Sequence, residues 1–251
     1  RLDLRRAGLG PRLQHGRPAG TAANAPARCS LCPPFHWEPG LNIEPISRTV
    51  RFLRVCCLAL HFVAGAATVT LIYPLISDRS RLRLKQRWSG RLLDILGIRL
   101  DADMAGIEPG SLIVANHISW VDVFVLNAAR PVAFVSKSEV RQWPLIGWLA
   151  ARTDTVFIRR GSRGHAKLVN AEIDALLNAG KDVALFPEGT MTDGTHLLGF
   201  HAALLQPAVE TGRPIQPIAL CYEGDDGERS LAPAYAGETT LMESLRAILC
   251  T

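Results

Sequence analysis

Between Val55 and Ile76 the chain runs 22 residues without an Asp, Glu, Lys or Arg. Roughly 20 apolar residues in a helix suffice to cross the hydrocarbon core of a bilayer. Such a run is therefore either a membrane helix or the buried helix of a soluble body. Its flanks favour the membrane: Arg48, Arg51 and Arg54 precede it, and Arg79, Arg81, Arg83, Lys85 and Arg87 follow it, forming a basic collar that anionic headgroups attract. Within the run only His61 and Pro74 break the apolar character. The heavier C-terminal cluster favours a cytoplasmic position for the body on that side of the run. A second arrangement is a shallow helix pair, with segment 79–96 lying in the interface. Trp88, Leu92, Leu93 and Leu96 would then form an apolar stripe beneath its charges.

Charge is distributed unevenly around this run. Residues 1–54 hold nine Arg/Lys against three Asp/Glu, residues 55–100 seven against two, and residues 101–251 twelve against eighteen. A nucleic-acid enzyme carries its positive charge on the binding body, and here the body is acidic, so nucleic acid is excluded as a partner. Membrane lipids are the expected partner instead. Residues 1–46, rich in Arg, Pro, Gly and Ala without apolar periodicity, are expected to be disordered and to contribute nothing to the fold. Residues 47–97 read as a membrane-anchoring helix followed by a basic interfacial helix. Residues 98–251 read as the functional domain, cut short after a terminal amphipathic helix at Glu238–Cys250. The six cysteines (Cys29, Cys32, Cys56, Cys57, Cys221 and Cys250) suggest no disulfide framework. Cys29-x-x-Cys32 lacks the second ligand pair of a zinc site.

The domain alternates between two periods. Strands are expected near Ile98–Leu100, Leu112–Ala115, Val132–Ser136, Thr155–Ile158, Val183–Phe186 and Ile215–Leu220. Helices are expected near Trp120–Asn127, Lys167–Leu177 and Ala202–Glu210. Strands alternating with helices specify an α/β fold with a largely parallel sheet flanked by helices, here behind an N-terminal membrane helix. In such sheets chemistry gathers at the loops that leave the carboxyl ends of strands.

Two motifs fall at such loops. Asn116-His117-Ile118-Ser119-Trp120-Val121-Asp122 follows the strand-like 112–115 and sets a histidine five positions before a carboxylate. Imidazole titrates near neutrality, and a buried carboxylate fixes its tautomer, so the pair suits a general base and its orienting partner. Ser119-x-x-Asp122 also reads as a capping box, in which Asp122 merely starts a helix. The second motif, Phe186-Pro187-Glu188-Gly189-Thr190, leaves the strand-like 182–185. It offers a carboxylate, backbone N–H groups and a hydroxyl; alone it is equally a turn with a solvated Glu. Between the two, Val156–Ile158 ends in Arg159 and Arg160, a guanidinium pair suited to a phosphate or carboxylate, or simply to solvent. Ile215-Gln216-Pro217-Ile218-Ala219 is a strand interrupted by Pro217, which implies an edge or a bend beside the site. His196 and His201 read as surface or acceptor-pocket residues rather than metal ligands. Neither a Gly-x-Ser-x-Gly elbow, a His-Glu-x-x-His motif nor a Walker loop occurs.

Asn-His-x4-Asp, then Phe-Ile-x-Arg, then Phe-Pro-Glu-Gly-Thr, then a Pro-Ile strand resembles, in order and spacing, the PlsC-type glycerolipid acyltransferase family over residues 50–245. Lys137-Ser138-Glu139 with Trp143-Pro144 and Gly147 is similar to the family's segment between the first two blocks. The resemblance implies transfer of a fatty acyl group from an acyl-CoA or acyl-carrier-protein thioester to a lysolipid hydroxyl, without cofactor or metal. His117 would be the base and Asp122 its orienting partner. Asn116, Arg159, Arg160, Phe186, Pro187, Glu188, Gly189 and Thr190 would bind substrate. The implied location is a bacterial inner membrane, with the catalytic domain facing the cytoplasm.

Two positions depart from the family pattern. Met191 stands where many acylglycerol-phosphate enzymes continue with Arg, and Arg159 stands where Asp is common. Met191-Thr192-Asp193-Gly194 is similar to a branch that includes lyso-ornithine-lipid acyltransferases. The leading expectation is acylation of 1-acylglycerol-3-phosphate to phosphatidic acid, with another lysolipid such as lyso-ornithine lipid as the alternative acceptor. From other classes, a lipid or thioester hydrolase and a non-catalytic membrane-binding relative remain.

Overall fold

Strand β3 (Leu112–Ala115) alternates between two apolar cores. Leu112 and Val114 enter one, Ile113 and Ala115 the other, and all four are buried. Strand β6 (Val183–Leu185) repeats the pattern, with Val183 and Leu185 on one face and Ala184 on the other. A strand covered on both sides reads as a continuous apolar run, and its connections must cross the sheet faces as helices. The structure, a computed structural model, describes residues 2–6, 46–158 and 163–250.

Five parallel strands form the main part of a seven-stranded sheet, in the order β7 (Ile215–Tyr222), β3, β6, β4 (Ala133–Lys137) and β5 (Val156–Ile158). The expected α/β architecture with a largely parallel sheet is present. On one face lie α1 (Arg48–Ala67), α2 (Asp78–Leu96), α3 (Asp122–Ala129) and α7 (Leu241–Cys250). On the other lie α5 (Arg163–Asn178) and α6 (Gln206–Thr211). Val169, Ile173 and Leu177, spaced four apart, form the stripe that α5 buries. A short helix α4 (Ile146–Ala151), after a 3-10 turn over Ser138–Gln142, joins β4 to β5.

Several boundaries differ from the sequence expectation. Strand β2 (Leu100–Ala102) starts two residues later than expected, and α3 starts at Asp122 rather than Trp120. The helix expected over 202–210 is split into a 3-10 turn at Ala202–Leu204 and α6. Pro207 has no N–H to donate and is tolerated only in a first turn, so it sits there. Residues 2–6 depart from the expectation that nothing before residue 47 joins the fold. They form β1 (Leu2–Arg6), antiparallel to β7 and parallel to β2. The rest of the stretch up to residue 45 lies outside the described residues. The β1 pairing ends at Ile218, so Pro217 sits where β7 is open on that side among the described residues, as a strand proline requires.

The apolar run is helical throughout. Helix α1 continues through a π-turn at Thr68–Ile72 into a 3-10 turn at Tyr73–Leu75. The 28-residue segment Arg48–Leu75 is long and apolar enough to cross a membrane, and only 17% of its most apolar window is buried. Phe52, Leu60, Val63, Leu71 and Leu75 face outward. Its inward side is clasped to α2. Trp88 Nε1 donates to the His61 carbonyl at 3.2 Å, and His61 Nε2 donates back to the Trp88 carbonyl at 2.9 Å. The two rings stack 4.5 Å apart. Gly65 is required beneath the indole, because a Cβ there would lie 2.6 Å from Trp88 Nε1.

Helix α2 exposes Arg83, Arg87 and Arg91 and sinks Leu92, Leu93 and Leu96 into the same core as Ile113 and Phe134. Full burial of each such side chain is worth about 1.5–3 kcal/mol. Lys85 crosses from α2 to the sheet. Its residue is half-buried but its ammonium is sunk, donating to the carbonyls of Val132 at 2.7 Å and Thr153 at 3.3 Å, just ahead of β4 and β5. Loss of hydration pulls its pKa down to about 8, with Asp154 acting against the shift.

Candidate active site

Because β3 and β6 are parallel neighbours with Val114 opposite Leu185, the chain leaves both strands side by side at the same edge. That juxtaposes the loop starting at Asn116 with the turn starting at Phe186. On the other side of β3, β7 runs parallel in register up to Ala115 opposite Ile218 and then outruns it to Tyr222. The Asn116 side chain covers part of that overhang. Its Nδ2 donates to the Leu220 carbonyl at 3.1 Å and its Oδ1 accepts the Leu220 N–H at 2.7 Å, so the amide stands in for a further strand residue.

His117 comes next in the loop. Its Nδ1 lies 2.8 Å from Oδ2 of Asp122, whose side chain is fully buried, while the imidazole retains 13% exposure. Oδ2 also accepts the N–H groups of Ile118 at 2.7 Å and Ser119 at 2.9 Å. Asp122 is the first residue of α3, where the helix dipole favours a carboxylate. The expected reciprocal capping box does not form: the N-cap of α3 is Val121, with no side-chain cap bond, and the Ser119 hydroxyl accepts the Val121 N–H at 3.3 Å, while Asp122 turns back onto the motif loop and His117. Oδ1 accepts the hydroxyl of Tyr222 at 2.7 Å. Burial, and then the charge of Asp122, push the Tyr222 phenol well above its usual range, so it stays a donor. With a carboxylate on Nδ1, that nitrogen carries the imidazole proton and Nε2 presents its lone pair.

The second motif supports the first from below. Phe186-Pro187-Glu188-Gly189 is a tight turn closed by the Gly189 N–H on the Phe186 carbonyl at 3.1 Å. Gly189 takes φ 67°, the left-handed region that glycine enters without a Cβ penalty. The turn points Glu188 inward, where it is 4% exposed. Its Oε1 accepts the main-chain N–H of His117 at 3.0 Å, and its Oε2 accepts that of Leu198 at 2.8 Å. The Phe186 ring lies flat against the His117 imidazole, centroids 3.9 Å apart and planes within 5°. Thr192 N–H bonds the His117 carbonyl, and Tyr235 N–H that of Ile118.

The residues expected to form a site therefore separate into groups. His117, Asp122, Phe186 and Glu188 are brought together. Asn116 and Glu188 spend their recorded side-chain bonds on the protein backbone. Pro187 is buried and Thr190 is exposed at the rim. Arg159 and Arg160 lie outside the described residues. His196 Nδ1 contacts Thr195 Oγ1 at 3.1 Å near Asp193, at the surface. Tyr222 was not anticipated. The signal for it is the period-two burial of β7, where Gln216, Ile218, Leu220 and Tyr222 point inward, since a buried tyrosine hydroxyl needs a partner. A cavity of about 270 Å³ lined by Asp154, Thr155, Val156, Glu172, Ala175 and Leu176 lies at the start of β5, on the sheet edge opposite His117.

A protein of Pseudomonas aeruginosa named lyso-ornithine lipid O-acyltransferase is 37% identical over 83% of this chain and 80% of its own length. The acyltransferase family model matches residues 100–221. This chain belongs to the acyltransferase family. A second acyltransferase, the 1-acyl-sn-glycerol-3-phosphate acyltransferase of Neisseria gonorrhoeae, is 39% identical over 51% of this chain and 50% of its own. The crystal structure of the acyltransferase PlsC from Thermotoga maritima shares the fold, with a TM-score of 0.51 and 20% identity over 79% of this chain and 92% of that one. The matched region of the acyltransferase model contains both motifs, β3 to β6, and most of β7.

Proposed function

We propose that this acyltransferase moves a fatty acyl group from a CoA or carrier-protein thioester to a free hydroxyl of a membrane lysolipid, with His117 as general base. The observation that carries this reading is the commitment of Nδ1 to a sealed carboxylate at 2.8 Å, with Nε2 left for chemistry. Nε2 takes the proton of the acceptor hydroxyl as its oxygen attacks the thioester carbonyl carbon. The tetrahedral intermediate then collapses, the C–S bond breaks, and the imidazolium returns the proton to the departing thiolate. Ester and thiol are the products, and no acyl-enzyme forms. Asp122 holds the tautomer and stabilises the imidazolium. The exposed apolar face of α1 and the basic residues on its C-terminal side support membrane association, with the body on the cytoplasmic side of a bacterial inner membrane.

Two acceptors compete. The glycerol-phosphate reading follows from the motif order. Lyso-ornithine lipid is favoured by Met191 in place of a phosphate-binding Arg, and by the name of the relative that aligns along most of the chain. Purified protein supplied with labelled acyl-CoA or acyl-carrier protein, and with each acceptor in turn, separates the two. His117→Ala should lose transfer by at least about 10³-fold while remaining with the membrane fraction. Near wild-type turnover in that variant would remove His117 from the mechanism. Free fatty acid without a diacyl product would instead indicate a hydrolase.

A further inference from the structure

We propose that Tyr222 is a positioning residue for the His117–Asp122 pair, its hydroxyl holding the far carboxylate oxygen so that the near one stays on the imidazole. This rests on the reading of His117 as base. Tyr222 is 3% exposed and Asp122 fully buried, so the phenol acts through the carboxylate rather than on substrate. Asp122 Oδ2 already serves His117 Nδ1 and two main-chain N–H groups, whereas Oδ1 has Tyr222 as its recorded donor. Without that donor a buried anionic oxygen would face apolar surroundings, and rotation of the carboxylate about its own bond would become a way to relieve it. The overhang of β7 beyond β3 is what carries the hydroxyl to this place.

The donor also affects how tightly the pair holds a proton. A hydrogen bond to Oδ1 draws negative charge away from Oδ2 and weakens its attraction for the imidazolium. Among the described residues, the charged and titratable groups around the pair are few. The loop after β3 contributes Asp122, the β6 turn Glu188 on the His117 main chain, and β7 Tyr222 itself. The segment bonded to the His117 carbonyl adds the surface groups Asp193 and His196, with Arg229 on the Gly194 carbonyl.

The test is Tyr222→Phe in the full chain, with kcat, acceptor KM and the pH profile measured alongside melting. The expected result is a kcat lower by roughly tenfold, an unchanged KM, and an acidic limb of kcat moved upward by about half to one pH unit. A residue of structural importance alone would lower Tm but leave kcat per folded molecule and the limb in place, and that outcome overturns the proposal. So does an effect confined to KM. If Tyr222→Phe does not fold, fluorotyrosine at position 222 supplies a stronger donor of nearly the same shape, and the limb should then move downward; an unmoved limb refutes the proposal. His117→Ala is run in parallel. If it stays active the base assignment fails, whereas an inactive His117→Ala with an unaltered Tyr222→Phe leaves the base standing and removes Tyr222.

Discussion

Replacing Glu188 by Gln separates two roles for that residue. The carboxylate accepts two main-chain N–H groups at 3.0 and 2.8 Å and is 4% exposed. Gln keeps the volume but has one oxygen, so one N–H, at His117 or Leu198, must face an amide NH₂. Hydrogen bonds to a charged acceptor contribute about 1.5–3 kcal/mol each, and an orphaned buried donor carries a further penalty, so a loss of about 3–4 kcal/mol is expected. For an ordered body of this size each kcal/mol lowers Tm by about 2–4 °C, which gives a fall of about 6–16 °C. Melting followed by circular dichroism in detergent reads this directly. Acceptor kinetics on the same sample should show a fall in kcat, because the His117 backbone loses its anchor, with little change in KM. A Tm within about 2 °C of wild type together with a raised acceptor KM would refute the reasoning and return Glu188 to the headgroup.

Lys85 should make stability depend on pH. Its folded pKa of about 8 lies below the ordinary 10.5, so between these values the unfolded chain binds more protons than the folded one and stability rises with pH. Between about pH 8 and pH 9.5 the gain is about 1.5 kcal/mol, read by denaturant melts, and Lys85→Met should abolish the slope. Tyr222 acts oppositely above its ordinary pKa of 10, because the unfolded phenol ionises first, so the rise should end there. Gly65→Ala should force the Trp88 indole away from the His61 carbonyl at a cost of about 1–3 kcal/mol, seen as a lower Tm and altered tryptophan emission. An unchanged spectrum would mean that the clasp tolerates a methyl group.

Local pattern was legible in the sequence where burial has a simple period. The runs at 112–115 and 183–185 read as strands because both their faces are covered, and the motif loops begin where those strands stop. The roles of Asn116 and Glu188 were less legible. Resemblance implied that both bind substrate, whereas their recorded polar contacts hold β7 and the His117 backbone. Those partners are 104 and 71 residues from the motif that uses them. They become neighbours only through the order β7-β3-β6, which local propensity does not encode. Tyr222 was missed for the same reason, being 100 residues from Asp122. The His61 interruption of the apolar run, by contrast, is accounted for by one reciprocal contact with Trp88.

The flat stacking of His117 on Phe186 has a directional consequence. An imidazole nitrogen carries its lone pair in the ring plane, and this plane is set twice, by the phenyl face on one side and by Asp122 at the near nitrogen. Little torsional freedom is left for the ring to swivel toward an incoming hydroxyl. With His117 as the proposed base, an acceptor alcohol would have to travel edge-on, gliding parallel to the Phe186 face, and the angle of approach would become a filter in its own right. An acceptor would then be rejected for the tilt its headgroup imposes on the hydroxyl, even where its volume fits.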